Sequence, residues 1–122
     1  MIELAKASEM EGIDSLWVLD RLLYPLTPQT SYREHRVEVS LSAHSVFDPI
    51  ELLTFTAAHT KKIAIGTSVV DMLFHNPVVL ARRFATPDVL SEGRLICGLG
   101  LGWSKDEYQA CNVPFRERRK SY

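Results

Sequence analysis

IAIGTSVVDMLFHNPVVLARRFATPDVLSEGRLICGLGLGW, residues 63–103, is the stretch whose reading decides the fold. It opens with one apolar run, IAIGTSVV (63–70), and closes with a second, RLICGLGLGW (94–103). Each carries glycine or small polar residues toward its carboxyl end, and one helical segment lies between them. The order is strand, crossover helix, strand. In parallel sheets the carboxyl ends of such strands carry the chemistry. Residues 66–71 and 98–103 are therefore expected side by side on one rim, with a ligand lying across both.

Working outward, Asn76 is placed to cap the intervening helix and Pro77 to take its first position. Val78, Ala81, Phe84 and Ala85 form its expected apolar stripe, with Arg82 and Arg83 facing water. Pro87 is expected to kink or interrupt this helix, because it lacks a donor and crowds the carbonyl four residues earlier. Gly93 marks the turn into the strand 94–99. Upstream, Asp48, Pro49 and Glu51 give a capping signature for a helix over 49–60 with Ile50, Leu53 and Ala57 on one face. Residues 2–11 are rich in helix formers and Gly12 follows as a cap. SLWVLD (15–20) reads as a buried strand with Trp17 in the core and Asp20 at its carboxyl end. Residues 21–47, with Pro25, Pro28 and the charged cluster 33–36, show no sustained periodicity. A loop this long is usually functional, a lid or a binding loop. A short helix is expected over 104–111, and the first turns of another after Pro114.

Near-continuous apolar strands alternating with amphipathic helices specify an α/β protein with a parallel sheet. Only three strands are legible in the 122 residues, whereas a closed (β/α)8 barrel needs eight and about 250 residues. The expectation is a single partial TIM-barrel domain over residues 1–122, missing the first strand and the C-terminal half.

Composition excludes several functions. The formal charge of −1 gives no general attraction to nucleic acid or anionic membrane, and no apolar run approaches the roughly 20 residues that span a bilayer. Without a signal-peptide pattern, a cytoplasmic location is expected. Cys97 and Cys111 match no metal or redox spacing and read as reduced thiols, Cys97 in a buried strand and Cys111 near a surface turn. His59 reads as helix surface. His35 and His44 lie in the long loop without metal-ligand spacing, and no metal site is expected. His75, beside a strand end, is a candidate for the substrate pocket. GLGLGW (98–103) has GxGxG spacing, with Trp103 in place of the third glycine of a dinucleotide fingerprint. The glycines 98, 100 and 102 fit equally a strand packed close to its neighbour.

The joint order of GIDSLWVLDR (12–21), DP (48–49), GTSV (66–69), NPVVLA (76–81), LSEGR (90–94), GLGLGW (98–103) and NVPFRER (112–118) resembles the luciferase-like monooxygenase superfamily, most closely its branch dependent on coenzyme F420, with the FMN branch next. The resemblance covers nearly the whole chain. It implies a flavin- or deazaflavin-dependent oxidoreductase acting on a small organic molecule by hydride transfer or monooxygenation, and a possible homodimer. It also implies a non-proline cis peptide at Ser68–Val69 whose bulge backs the cofactor ring, and a close backbone approach at Leu101 and Gly102. Asp71 and Asp106 match, or lie near, polar cofactor-binding positions, and Asp20 an acidic position with a catalytic role.

Two departures stand out. Arg21 occupies the catalytic position where many members carry histidine; arginine stays protonated, so it suits holding an anion rather than shuttling a proton. Trp103 stands where the F420-dependent sugar-phosphate dehydrogenases carry a catalytic glutamate, and is expected to line the substrate pocket instead. The rival reading is a non-catalytic, truncated barrel fragment that lacks a complete cofactor site and self-associates through open sheet edges at 15–20 and 94–99.

Overall fold

The computed structural model describes residues 1–29 and 46–117. The histidines at 35 and 44 and most of the long loop lie outside them. The elements run α1 (Ile2–Met10), β1 (Ser15–Val18), α2 (Pro49–His59), β2 (Ala64–Thr67), β3 (Val70–Asp71), a 3-10 turn (Met72–Phe74), α3 (Pro77–Leu90), β4 (Leu95–Ile96), β5 (Leu99–Gly100), α4 (Lys105–Ala110) and a second 3-10 turn (Phe115–Glu117). This is the α/β architecture with parallel strands, and among the described residues it is an open sheet rather than a closed barrel.

The strands form two storeys. β1, β2 and β4 make a parallel sheet in that order, with Trp17 beside Gly66 and Gly66 beside Ile96. Above it β3 pairs in parallel with β5, Val70 opposite Leu99 and Asp71 opposite Gly100. Each apolar run is thus two short strands rather than one. The first run breaks at the cis peptide Ser68–Val69, and the second divides at Cys97 and Gly98. Thr67 joins the storeys: its hydroxyl donates to the Gly98 carbonyl (2.8 Å) and accepts from the Gly98 N–H (2.9 Å). A Cβ at Gly98 would stand 2.0 Å from the Thr67 carbonyl oxygen. Glycine there is required by the close approach of two backbones.

The helices form where their caps predict. The Asp48 carboxylate accepts from the N–H groups of Ile50 and Glu51, and the Asn76 side chain from those of Val78 and Val79, each ahead of a proline. Gly12, at φ +77°, lets the chain leave α1, with its N–H on the Glu9 carbonyl and that of Ile13 on Ser8. α2 is the wedge of the core. Its Ile50 packs with Leu80 and Phe84 of α3 and Val70 of β3, while Leu53 and Ala57 pack on Ile65 of β2. Burying a leucine this completely (1% exposed) contributes about 2 kcal/mol.

Two polar clamps hold the layers together. The Arg94 guanidinium fans into the carboxyl end of α2, donating to the carbonyls of Ala57 (3.2 Å), Thr60 (3.0 Å) and Ile63 (2.7 Å) and to the Thr60 hydroxyl (3.0 Å). It thereby satisfies carbonyls that a helix end leaves without partners. The Glu9 carboxylate, from α1, accepts from three successive N–H groups at Lys61, Lys62 and Ile63. These bonds stabilise its charged form and hold its pKa down at about 2.

Five expectations are corrected. α3 continues through Pro87 to Leu90, because the ring is buried in line with Leu80 and Phe84 and packing outweighs the missing donor. The apolar stripe is accordingly Leu80, Phe84 and Pro87, while Val78 (77% exposed), Ala81 and Ala85 face outward. Arg83 does not simply face water: it bridges to Asp48 (3.0 Å) and Glu51 (2.6 Å) on α2. Trp17 and Cys97 are exposed rather than buried. Trp17, Gly66 and Ile96 lie in register across the sheet, and the indole covers Gly66, where a Cβ would meet its ring at 2.6 Å. The helix side of the sheet is taken by Ile65 with Val18 and Leu95.

Candidate functional site

The carboxyl ends of the strands converge on a rim as the sequence predicts. Asp20 follows β1, Asp71 ends β3, and 101–103 follow β5. The Asp20 carboxylate accepts from the Asp71 N–H at 3.1 Å, tying the first strand end to the second. The Asp71 carboxylate in turn lies against the third. A Cβ on Gly102 would approach it at 3.0 Å, and Gly102 has φ +75°. Glycine there supplies both the backbone conformation and the room.

Ser68 and Val69 form the exposed bulge between β2 and β3. Val69, 40% exposed, rests against the glycines of the second run; a Cβ at Gly100 would stand 2.4 Å from its Cγ2. Val69 thus gives the rim an apolar face bordered by the bare backbone of Gly98 and Gly100. The Leu101 carbonyl accepts from the Tyr108 hydroxyl. Tyr108 is buried on α4 and meets Phe74 and Phe115 edge to face. This aromatic stack fixes the backbone of 101–102 from behind.

Arg21 and Trp103 meet across the rim, the guanidinium carbon 5.3 Å from the indole centroid. Arg21 Nε donates to the Leu23 carbonyl (3.0 Å) and lies 3.6 Å from the Glu107 carboxylate. Asp106 stands at the start of α4, where its carboxylate accepts from the Gln29 N–H (3.1 Å). His75 sits one 3-10 turn beyond Asp71, half-buried, its N–H on the Met72 carbonyl. The structure thus gathers Asp20, Arg21, Ser68, Val69, Asp71, Leu101, Gly102 and Trp103 at the strand ends, with His75 after the turn that follows Asp71 and Asp106 at the start of α4.

Charge is concentrated here. Burial pushes the Asp71 carboxyl up to about 6, with the nearby negative charges of Asp20 and Glu107 adding and Arg21 opposing. Glu107 is raised by burial, against the pull of Arg21 and the N–H groups of Leu23 and Leu22. The rim therefore carries a carboxyl raised to about 6 beside a guanidinium. No cluster of three His, Cys, Asp or Glu side chains fit to hold a metal is found among the described residues.

Sequence reasoning missed Glu107 and Tyr108. Ser104 and Glu107 stand at capping-box spacing, and the Ser104 hydroxyl does accept from the Glu107 N–H (3.4 Å). The glutamate side chain, however, reaches not back to Ser104 but across to the N–H groups of Leu22 and Leu23. That long-range partner was invisible in the spacing.

Residues 1–121 match the model of the luciferase-like monooxygenase family. An F420-dependent glucose-6-phosphate dehydrogenase of Amycolatopsis mediterranei is 34% identical over 108 residues, 88% of this chain and 28% of the relative. Among solved structures, monooxygenase RslO1 from Streptomyces bottropensis superposes with a TM-score of 0.78 at 23% identity, over 98% of this chain and 31% of its own. The oxygenating constituent of 3,6-diketocamphane monooxygenase from Pseudomonas putida, in complex with FMN, gives 0.71 at 19% identity, over 93% of this chain and 27% of its own. The chain spans about a third or less of the length of these proteins.

Proposed function

The chain belongs to the luciferase-like monooxygenase family, and from that premise we propose that its rim forms part of the site of an F420-dependent oxidoreductase acting on a small organic substrate. The observation that carries this reading is the apolar face that Val69 makes over the bare backbone of Gly98 and Gly100, with Asp71 at its edge beside Gly102. A flat aromatic ring fits such a face, because no side chain intervenes between it and the backbone at the glycines. The choice of deazaflavin over FMN is supported by the sequence relative, which is named for F420. The FMN-bound neighbour keeps FMN as the alternative at the level of fold.

A bound deazaflavin supplies two-electron hydride chemistry. Ser68 and Val69 would back the ring, and Leu101 and Gly102 would approach it with backbone. Asp106 and Asp71 would offer polar contacts to its substituents. Asp71, titrating near neutrality, holds or releases a proton at the rim, and Asp20 fixes the Asp71 backbone in place. Arg21 stabilises negative charge, and Trp103 and His75 border the substrate. With Trp103 in place of a carboxylate, sugar-phosphate oxidation is not the proposed reaction. No nucleic-acid or membrane partner is proposed, and no described helix is long and apolar enough to cross a membrane.

Titration of the chain with oxidised deazaflavin and, separately, with FMN, followed by cofactor fluorescence, tests the reading. Saturable binding of deazaflavin in preference to FMN is expected, and binding of neither removes both. The fragment reading has one observation in its favour: β1 and β4 are sheet edges, beside Trp17 (49% exposed) and Ile96 (43%). Size-exclusion chromatography separates the two, since a compact monomer or a discrete homodimer that binds cofactor speaks against open-ended association.

A further inference from the structure

We propose that Glu107 is the positioning residue of the rim, holding the Arg21 guanidinium over the Trp103 indole and fixing the backbone turn that follows β1. The Glu107 side chain is 2% exposed, and a buried carboxylate persists only where donors replace its water. Its donors come from one place. Oε1 accepts from Leu22 N (3.1 Å) and Leu23 N (3.4 Å) and lies 3.6 Å from Arg21 Nε. All three belong to consecutive residues some 85 positions away in sequence.

The consequence for Arg21 is a fixed direction. Its Nε–H donates to the Leu23 carbonyl, the Glu107 carboxylate lies 3.6 Å from the same nitrogen as an ion pair, and the guanidinium carbon stands 5.3 Å from the Trp103 ring centroid. Trp103 and Glu107 lie four residues apart on the link from β5 into α4, so one short segment supplies both the charge and the ring that bracket the cation. The same helix holds the chain further along. Asp106 takes the Gln29 N–H (3.1 Å), and Gln109 takes the Gln29 side-chain amide (2.7 Å). α4 is thus the dock on which residues 21–29 are laid, and Glu107 is its buried pin.

The functional weight of this pin rests on the reading of the rim as a cofactor and substrate site, whereas the positioning itself is measurable without any ligand. In the 122-residue chain carrying Trp17→Phe, Trp103 is the one remaining tryptophan, and its emission reports the cation beside it. Arg21→Gln is expected to shift that emission. Glu107→Gln, which keeps an acceptor for the two N–H groups but removes the charge, is expected to shift it the same way. The double variant is expected to show no further shift. Additive shifts, or a silent Glu107→Gln beside a responsive Arg21→Gln, overturn the proposal. Should Glu107→Gln not fold, Glu107→Asp withdraws the charge by one methylene and must reproduce the Arg21→Gln shift; unchanged emission overturns the proposal. Deazaflavin titration then separates the two readings. Where the parent chain binds it, both single variants are expected to raise Kd by about tenfold, the scale of one charged hydrogen bond. Where the parent chain binds no cofactor, the proposed function fails while the emission result stands.

Discussion

The backbone N–H of Asp71 donates to the side chain of Asp20, 3.1 Å away, so one carboxylate anchors the main chain that carries another. The anchor also repels its neighbour. The Asp71 carboxyl is raised to about 6 by burial first and by the Asp20 charge second. Asp20→Asn is therefore expected to lower the Asp71 midpoint. Carboxyl 13C chemical shifts followed against pH check this, and an unmoved midpoint would exclude the Asp20 charge as a cause.

The same shift makes a statement about stability. A carboxyl whose folded pKa lies above its unfolded value binds its proton more tightly when folded, so its contribution is complete below pH 4 and is lost as pH rises through about 6. Asp71→Asn is expected to remove that decline. Urea midpoints between pH 4 and pH 7 should fall for the parent chain relative to the variant; parallel curves contradict the assignment.

Glu9 behaves in the opposite sense. Its pKa, held at about 2 by three N–H donors, gives stability that is present above the ordinary glutamate value of 4.5 and lost as pH falls toward 2. Glu9→Gln should flatten acid unfolding over that window, as read by circular dichroism.

Arg94→Lys is expected to cost about 3 kcal/mol, since one ammonium cannot serve four carbonyls, that of Ser91 included, and a hydroxyl at once and leaves several of them without a donor. Chemical denaturation measures it. A loss below about 0.5 kcal/mol would mean that water replaces the guanidinium at no cost.

Gly98→Ala sets a Cβ 2.0 Å from the Thr67 carbonyl and must part the two backbones. A loss of about 2 to 3 kcal/mol is expected, with amide exchange rising at Gly98 and Val70, whose N–H groups bond to the Thr67 hydroxyl and the Gly98 carbonyl. Unaltered exchange at both amides would count against the close approach.

Elements whose signals are local were legible. The caps Asp48 and Asn76 with their prolines set α2 and α3, and the spacing of Ile50, Leu53 and Ala57 marks the buried face of α2. The rim itself was legible too, because parallel strands end together. What escaped depends on partners distant in sequence. The phase of α3 is set by α2 and β3 packing against Leu80, Phe84 and Pro87, and apolar residues on both faces left that phase open. Trp17 reads as core by its apolar size, yet strand parity turns it to the face the described helices do not cover. Glu107 and Arg94 look like surface charges in a polar stretch, and only folding brings them the N–H groups and carbonyls they serve.

The Thr67 hydroxyl, exchanging two hydrogen bonds with Gly98, is a seam between floor and rim. Side-chain alternation does not run through it: Thr67 is buried, Ser68 and Val69 are exposed, and Val70 is buried again. The rim thus keeps its own phase. On the proposed reading, substitutions at 68, 69, 71, 101 and 103 change the upper tier, while the register of the sheet beneath, Trp17 with Gly66 and Gly66 with Ile96, is set by its own strands.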